Sequence, residues 1–266
     1  MSKNGRKVCL VTGGAKGIGR DISLTMAEAG YDIAINYHNR PEEAKEVKSL
    51  VDAMGVEGFT VYGDMSDVES IRKMYDEVFE YFGEVHCVIN NAGVGVEAYF
   101  LDTTEEMFDF MSSIDWKGLF FSCQEAVKRM IAANTKGCNI INISSNQSIG
   151  NWPRSTVYAP TKAAVEKFTK NCAMELCLMG NGGIRMNCVA PGYTDVGWAP
   201  DDHRWEAADR LPMRRFASKR EIGKGCVYLA SDDAGYITGQ TLYIDGGALL
   251  PVACENDFIK PAKDQG

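Results

Sequence analysis

Short apolar runs alternate with longer amphipathic segments along most of the chain, and this alternation limits the folds open to it. Seven runs of strand length are almost continuously apolar, as expected for strands covered on both faces of a sheet. They are KVCLVT, YDIAINY, GFTVYG, HCVIN, NIINIS, IRMNCVA and TLYID. Helical patterns lie between them, at residues 18–29, 41–54, 68–82, 105–132, 163–178 and 219–230. The alternation predicts an α/β fold with a Rossmann-like, doubly wound, seven-stranded parallel sheet and helices on both faces.

Two regions interrupt this rhythm. The first, residues 193–212, is rich in Trp, Asp and Arg and is long for a connector, so we expect it to be a lid over a substrate site. The second is a polar tail at residues 252–266. A length of 266 residues suits one large domain, and no second core pattern is visible. We therefore expect residues 1–266 to form a single domain.

Charge and composition exclude several classes of partner. The formal net charge is −8 and the sequence has no long Lys/Arg run, which argues against a nucleic-acid-binding surface. No apolar segment is long enough to span a bilayer, and the first residues do not resemble a secretory signal, so we expect a cytoplasmic protein without membrane contact. The nine cysteines are scattered without CxxC pairs, and we expect neither disulfides nor a metal site.

A glycine-rich segment, TGGAKGIG at residues 12–19, follows the first strand and leads directly into a helix. Glycines at this place permit a tight turn and let the backbone approach a pyrophosphate, which then lies at the positive N-terminus of the helix. Its spacing, Thr-Gly-x-x-x-Gly-x-Gly, differs from the common G-x-G-x-x-G. The position in the first strand–turn–helix unit predicts a dinucleotide site.

With this spacing, the sequence resembles the short-chain dehydrogenase/reductase family in its classical form. The resemblance covers residues 7–247 and rests on five motifs in the order of the family. They are TGGAKGIG, Asp64, NNAG at residues 90–93, Ser145 with Tyr158-x-x-x-Lys162, and Pro191-Gly192. The resemblance implies an enzyme that interconverts a secondary alcohol and a ketone with a nicotinamide cofactor, inside one NAD(P)-binding domain.

The resemblance also implies which residues hold the cofactor, with Asp64 and Met65 beside the adenine and Asn91 along the dinucleotide. The full set is Gly13, Lys16, Gly17, Ile18, Gly19, Asp64, Met65, Asn91, Ala92, Gly93, Tyr158, Lys162, Pro191 and Gly192. Asp64 is equally typical of a turn at a strand end.

The end of the second strand indicates which nicotinamide cofactor is used. An acidic residue there would bind the ribose hydroxyls of NAD and repel a 2′-phosphate. The corresponding residue is Tyr37, and Lys16, His38 and Arg40 add positive charge nearby. We therefore expect NADP(H), although the same charges are also typical of a solvated surface.

The chemistry depends on a phenol that must lose or gain a proton near neutral pH. A free phenol titrates at about 10, so a neighbouring cation is needed to stabilise the phenolate. By resemblance and chemistry together, Tyr158 is the general acid or base and Lys162 stabilises the phenolate and binds the nicotinamide ribose. Ser145 orients the substrate oxygen. Because Pro160 is tolerated only in a first helical turn, we expect this helix to begin near residues 155–157.

Two positions depart from the pattern of the family. An asparagine that holds a water beside the lysine is replaced by Asp115, which we include among the catalytic residues as a support for that water chain. A threonine that often follows Pro191-Gly192 is replaced by Val196, and we expect Thr194 to take its place at the cofactor phosphates.

The substrate is the least constrained feature. Trp152, Trp198 and Trp205 suggest large apolar walls, and we slightly favour a bulky apolar substrate such as a hydroxysteroid or bile acid. The same tryptophans could only pack the lid. A 3-oxoacyl carrier-protein reductase, suggested by INYHNR, and a sugar or polyol ketoreductase are alternatives. A catalytically silent NADP-binding regulatory protein is the alternative from another class. The resemblance also implies a homotetramer.

Overall fold

The computed structural model describes residues 5–179, 183–199 and 201–250. Sixteen α-helices and β-strands follow one another along these residues. They are β1 (Val8–Val11), α1 (Gly17–Glu28), β2 (Asp32–Tyr37), α2 (Pro41–Ala53), β3 (Gly58–Tyr62), α3 (Val68–Phe82), β4 (Cys87–Asn90), α4 (Glu105–Ser112), α5 (Leu119–Ala132), β5 (Cys138–Ile143), α6 (Tyr158–Leu178), β6 (Ile184–Pro191), β7 (Thr194–Asp195), β8 (Ala217–Ser218), α7 (Lys219–Ala230) and β9 (Thr241–Ile244). The predicted tail, residues 252–266, lies outside the described residues.

The main sheet has seven strands in the order β3-β2-β1-β4-β5-β6-β9, and every pairing in it is parallel. All seven predicted strands are present, and the predicted Rossmann-like fold is confirmed. The strand order reverses direction between β1 and β4, which is where ligands bind in doubly wound sheets. The sheet therefore places its crevice beside the glycine-rich segment.

Each face of the sheet is covered by a separate apolar layer, because successive strand residues point to opposite sides. Val8 and Leu10 of β1 pack with α3, α5 and α6, whereas Cys9 and Val11 pack with α1, α2 and α7. All four side chains are fully buried. Burial on both sides explains why the strands read as continuous apolar runs.

The long helix predicted at residues 105–132 is not continuous. Between α4 and α5 the backbone forms a π-helical segment, Ser113–Gly118, which contains Asp115. At its end Gly118 packs so closely that a Cβ would lie 2.0 Å from the carbonyl oxygen of Met65. Wider turns of this kind are common at functional sites, and no periodicity of apolar residues distinguishes them from a regular helix.

The helix that carries Tyr158 begins at that residue, with Val157 as its N-cap. The Thr161 amide bonds to the carbonyl of Val157 at 3.1 Å, and the Ala159 amide bonds to that of Ser155 at the same distance. Pro160 lies between them in the first turn, where a missing donor costs little. The predicted helix start is therefore correct to within one residue.

Candidate active site

A cleft with a volume of about 1070 Å³ opens at the carboxyl ends of the strands. Nearly all of the predicted site residues line it. They are Gly13, Lys16, Gly17, Ile18, Gly19, Tyr37, His38, Arg40, Asp64, Met65, Asn91, Ala92, Gly93, Ser145, Tyr158, Lys162, Pro191, Gly192 and Thr194. Asp115 is the exception, because it lies behind the wall of the cleft and is 0% exposed. The motifs, scattered over the sequence, thus meet in one place.

The glycine-rich segment leaves its backbone open to a ligand. Gly13 and Gly17 have φ angles of +61° and +56°, which other residues rarely adopt. A Cβ on Gly19 would lie 2.2 Å from the carbonyl oxygen of Gly13 and 2.4 Å from Nδ2 of Asn91. Because α1 begins at Gly17, its first amides have no helical partner and can bind an anion. These groups fit the pyrophosphate of a dinucleotide.

Two residues that sequence reasoning missed hold this segment in place. The hydroxyl of Thr12 accepts hydrogen bonds from the amides of Asn91 and Ala92, both at 3.0 Å. The buried Asn36 accepts one from the Gly13 amide at 3.0 Å through Oδ1. A polar residue near the end of the apolar strand DIAINY was the available signal for Asn36. Together these bonds tie the glycine-rich segment to the ends of β2 and β4.

The residues expected to select the cofactor lie at the end of β2, and most of them already have partners. His38 Nε2 lies 3.7 Å from Oδ2 of Asp64, and Arg40 Nη1 lies 2.6 Å from Oε1 of Glu43. Burial acts to raise the pKa of Asp64, but the hydroxyl and amide of Ser66 donate hydrogen bonds to the carboxylate, and His38 adds positive charge. The pKa of Asp64 is lowered as a result. Asp64 therefore caps a turn and also lines the cleft.

Tyr158, Lys162 and Ser145 converge in the middle of the cleft. Lys162 Nζ lies 5.4 Å from the centroid of the Tyr158 ring and donates to the carbonyl of Ile143 at 3.3 Å. Only 4% of Lys162 is exposed, so its charge acts where solvent screening is weak. Ser145, 8% exposed, follows β5, and its Oγ accepts the Gln147 amide at 3.2 Å. Among the described residues, the Ser145 hydroxyl makes no side-chain hydrogen bond as a donor.

Asp115 contacts Lys162 but does not line the cleft. Its Oδ1 accepts a hydrogen bond from the Val94 amide at 2.9 Å and lies 3.8 Å from Nζ of Lys162. Within the described part of the chain, Oδ2 has no hydrogen-bond partner although it is buried. Burial raises the pKa of the Asp115 carboxyl, and Lys162 and the Val94 amide oppose the increase only in part.

The segment after β6 closes the cofactor side of the cleft. A Cβ on Gly192 would lie 2.7 Å from Cα of Asp245, so a glycine is needed for close packing there. The hydroxyl of Thr194 donates to the carbonyl of Gly192 at 3.1 Å, and Val196 is exposed. Thr194 is thus placed beside the cleft where we expected a threonine to act.

The segment that we expect to be a lid, residues 193–212, contains β7, which pairs in parallel with β8 just beyond the segment. Its tryptophans pack mainly on each other and on Phe216. The Trp198 and Trp205 ring centroids are 5.7 Å apart, and Trp205 stacks on Phe216 at 5.1 Å. A second cavity of about 720 Å³ is bordered by Tyr193, Glu206 and Arg210 of this segment and also reaches Tyr158. Its lining is mixed: Glu97, Gln147, Arg154, Ser155, Glu206 and Arg210 are polar or charged, and Val96, Trp152, Pro153 and Ala207 are apolar.

Fold and cleft together define a Rossmann-type dinucleotide-binding protein. A family model described as enoyl-(acyl carrier protein) reductase matches residues 13–248. The 3-oxoacyl-[acyl-carrier-protein] reductase of Staphylococcus aureus is 36% identical over 92% of this chain and 98% of its own length. The acetoin dehydrogenase of Salmonella typhimurium superposes with a TM-score of 0.86 at 30% identity, over 96% of this chain and 99% of that one.

A Burkholderia cenocepacia short-chain dehydrogenase in complex with NADP also superposes, with a TM-score of 0.84 at 28% identity over 90% of this chain and 96% of that one. The chain belongs to the short-chain dehydrogenase/reductase family. It is therefore an enzyme that acts on CH–OH or keto groups with a nicotinamide cofactor. Among the described helices, none is both long and apolar enough to cross a membrane.

Proposed function

We propose that this protein is an NADP(H)-dependent reductase that converts the ketone of a 3-oxoacyl thioester into a secondary alcohol. The chemistry rests on one observation, the convergence of Tyr158, Lys162 and Ser145 in a cleft whose glycine-rich backbone fits a dinucleotide. The substrate class is supported by the likeness to the staphylococcal reductase over nearly its whole length.

Each of the three side chains has a distinct task. A bound nicotinamide supplies the hydride for reduction and accepts it in the reverse direction. Ser145 donates its hydroxyl hydrogen to the carbonyl oxygen and fixes the orientation of the ketone. Tyr158 transfers its phenolic proton to the same oxygen as the alcohol forms. Lys162 stabilises the phenolate that remains, because its ammonium is buried one helical turn away.

Asp115 supports Lys162 from the side opposite the cleft. Its carboxylate contacts Nζ directly, and the unpartnered Oδ2 offers an acceptor to a water molecule. An ionised carboxylate accepts hydrogen bonds but donates none. We therefore assign to Asp115 the role of anchoring a water chain that returns a proton to Tyr158.

The preference for NADP(H) is supported by the residues at the end of β2. Tyr37 is not acidic, so nothing at its position would repel a 2′-phosphate. Lys16 is exposed at the N-cap of α1 and lines the cleft, whereas His38 and Arg40 would have to share their charge with Asp64 and Glu43. Lys16 is accordingly the residue on which the preference depends most.

Charged groups at the border of the second cavity support a substrate that carries a polar group over a steroid. Trp205 stacks on Phe216 and Trp198 packs edge-on against it, although Trp152 and Trp198 still line the main cleft. The charged Glu97–Arg154 pair, 3.1 Å between Oε2 and Nη1, borders the second cavity. The comparisons give no support to the hydroxysteroid expectation.

The test follows NADPH oxidation with a 3-oxoacyl thioester, a small hydroxyketone, a keto sugar and a ketosteroid. We expect the highest kcat/KM for the thioester. A preference for the ketosteroid would overturn the proposed substrate class, and NADPH binding without turnover of any ketone would overturn the proposed chemistry.

A matched pair of lysine variants tests the cofactor preference. Lys16→Ala should raise the KM for NADPH about three- to tenfold and leave the KM for NADH unchanged, because a charge-assisted bond to the 2′-phosphate is lost. Lys45→Ala, which removes a surface lysine paired with Glu42, is the control. Equal use of NADH and NADPH by the unmodified protein would contradict the preference.

A further inference from the structure

A buried carboxylate lies directly beneath the proposed site and takes no part in the steps described above. Glu166, on α6, is only 6% exposed. Its Oε1 accepts hydrogen bonds from the hydroxyls of Ser144 at 2.8 Å and Ser148 at 2.5 Å, and its Oε2 accepts one from Tyr243 at 2.7 Å. We call these four residues the Glu166 cluster. Three donors compensate a buried negative charge that would otherwise be costly.

The cluster joins three parts of the chain that form the site. Ser144 and Ser148 stand on either side of Ser145, in the loop after β5, while Tyr243 comes from β9. Glu166 lies one helical turn beyond Lys162 and two turns beyond Tyr158 on the same stripe of α6. One carboxylate therefore links the loop that carries Ser145 to the helix that carries the other two groups.

The side chain of Ser145 makes few contacts of its own. The bond that Ser145 Oγ makes within the described structure is with the Gln147 amide, inside the same loop. Its hydroxyl is therefore positioned relative to α6 by the rest of the loop, which is held by the Ser144 amide bond to the Val189 carbonyl and by the side chains that Glu166 binds. Ser144 Oγ also lies 3.2 Å from the carbonyl oxygen of Lys162, which reinforces this link.

We propose that Glu166 is a positioning residue that acts through Ser145, by fixing the loop on both sides of that serine against α6. The proposal rests on the proposed function of Ser145, Tyr158 and Lys162. Without the carboxylate, Ser144 and Ser148 lose their common acceptor and the Ser145 hydroxyl shifts relative to Tyr158. A displacement of about 1 Å in a reacting group can cost roughly 10²-fold in rate.

The experiment is a double-mutant cycle in kcat. Glu166→Ala should lower kcat roughly 10²-fold, whereas the KM for NADPH should stay within about twofold because the cofactor contacts are untouched. In a Ser145→Ala background, Glu166→Ala should cause little further loss, since the group that it positions is already gone. Glu166→Gln keeps one acceptor oxygen and should restore most of the activity.

Milder changes at the other members of the cluster cover the case in which Glu166→Ala does not fold. Ser148→Ala and Tyr243→Phe each remove one hydrogen-bond donor to Glu166. Each should lower kcat about three- to tenfold when Ser145 is present and should have little effect in the Ser145→Ala background. The matched control is Glu175→Ala, which removes an exposed glutamate from the same helix and should leave kcat unchanged.

The outcomes separate this inference from the proposed function. Equal losses of kcat with and without Ser145, or an unchanged kcat with a lower Tm, would show a purely structural role and overturn the inference. An unchanged kcat in Ser145→Ala and Tyr158→Phe would overturn the proposed function itself, whatever Glu166 does.

Discussion

Oδ1 of Asp115 lies 3.8 Å from Nζ of Lys162, and both side chains are almost completely withdrawn from solvent. Burial raises the pKa of Asp115 despite this cation. A carboxyl whose pKa is higher in the folded chain favours folding most below its unfolded pKa of about 3.9, and this contribution is lost as the pH rises through the folded pKa.

The difference in Tm between Asp115→Asn and the unmodified protein should therefore increase, in favour of Asp115→Asn, as the pH rises from about 4 towards 8. The reason is that Asn carries no charge that must be buried at the higher pH. Thermal unfolding over this pH range measures the difference, with Asp109→Asn, an exposed change in α4, as the control. Parallel Tm curves for Asp115→Asn and the unmodified protein would contradict the raised pKa.

Asp115→Asn also tests the role of Asp115 in proton return. If the carboxylate anchors a water chain, Asp115→Ala should lower kcat about tenfold or more, within the range expected for assisted proton transfer. Turnover that is preserved in Asp115→Asn together with little loss in Asp115→Ala would remove this role.

Tyr158→Phe should lower kcat about 10²- to 10⁴-fold, because the proton donor to the carbonyl oxygen is lost. NADPH should still bind, since the ring is retained, and fluorescence titration would measure this. Tyr236→Phe, at a fully exposed tyrosine, is the control and should behave like the unmodified protein. A kcat within tenfold of normal would mean that another group supplies the proton.

Gly19→Ala should weaken NADPH binding about tenfold or more, or about 1.4 kcal/mol. The added Cβ would lie 2.2 Å from the Gly13 carbonyl oxygen, so the glycine-rich backbone must shift. Isothermal titration would measure the loss. Gly183→Ala is a matched control, because a Cβ there meets no atom of the described residues within 4 Å. Equal affinities for the two variants would show that the observed backbone shape is not required.

Glu221→Ala should reduce the free energy of unfolding by about 1 kcal/mol near neutral pH, since Glu221 completes the capping box with Ser218 at the start of α7. Hydrogen bonds from Arg215, and then from the Ser218 amide, lower the pKa of Glu221 to about 2. Its contribution is present above its unfolded pKa and is lost as the pH falls towards 2.

The difference from the unmodified protein should therefore shrink in acid, and denaturant unfolding at several pH values measures it. Glu77→Ala, at an exposed position of α3, controls for loss of a surface charge. A difference that stays constant down to acid pH would contradict the role of the ionised Glu221.

Sequence alone predicted the features that depend on local pattern. The seven strands follow from apolar runs, and the start of α6 follows from Pro160 in its first turn. The meeting of Tyr158 with Lys162 follows from their spacing on one helix. These inferences succeed because each depends on a few neighbouring residues.

Features that depend on contacts distant in sequence were not predictable in the same way. Nothing near Glu166 in the sequence indicates that Tyr243, 77 residues away, donates to it. The hydroxyl of Thr12 reaches amides 79 and 80 residues further along. The expectation of a bulky apolar substrate remains unsupported, and the packing of Trp198 and Trp205 on Phe216 could not be read from the sequence.

In the π-helical segment Ser113–Gly118, the position of Asp115 depends on a departure from regular α-helical winding. A residue of a regular α-helix turns by about 100°, so deleting one residue here would restore even winding while rotating Asp115 relative to α5. The deletion would yield a more uniform helix and withdraw the carboxylate from Lys162. The irregular turn therefore trades uniform helical winding for a carboxylate held beside the Lys162 ammonium.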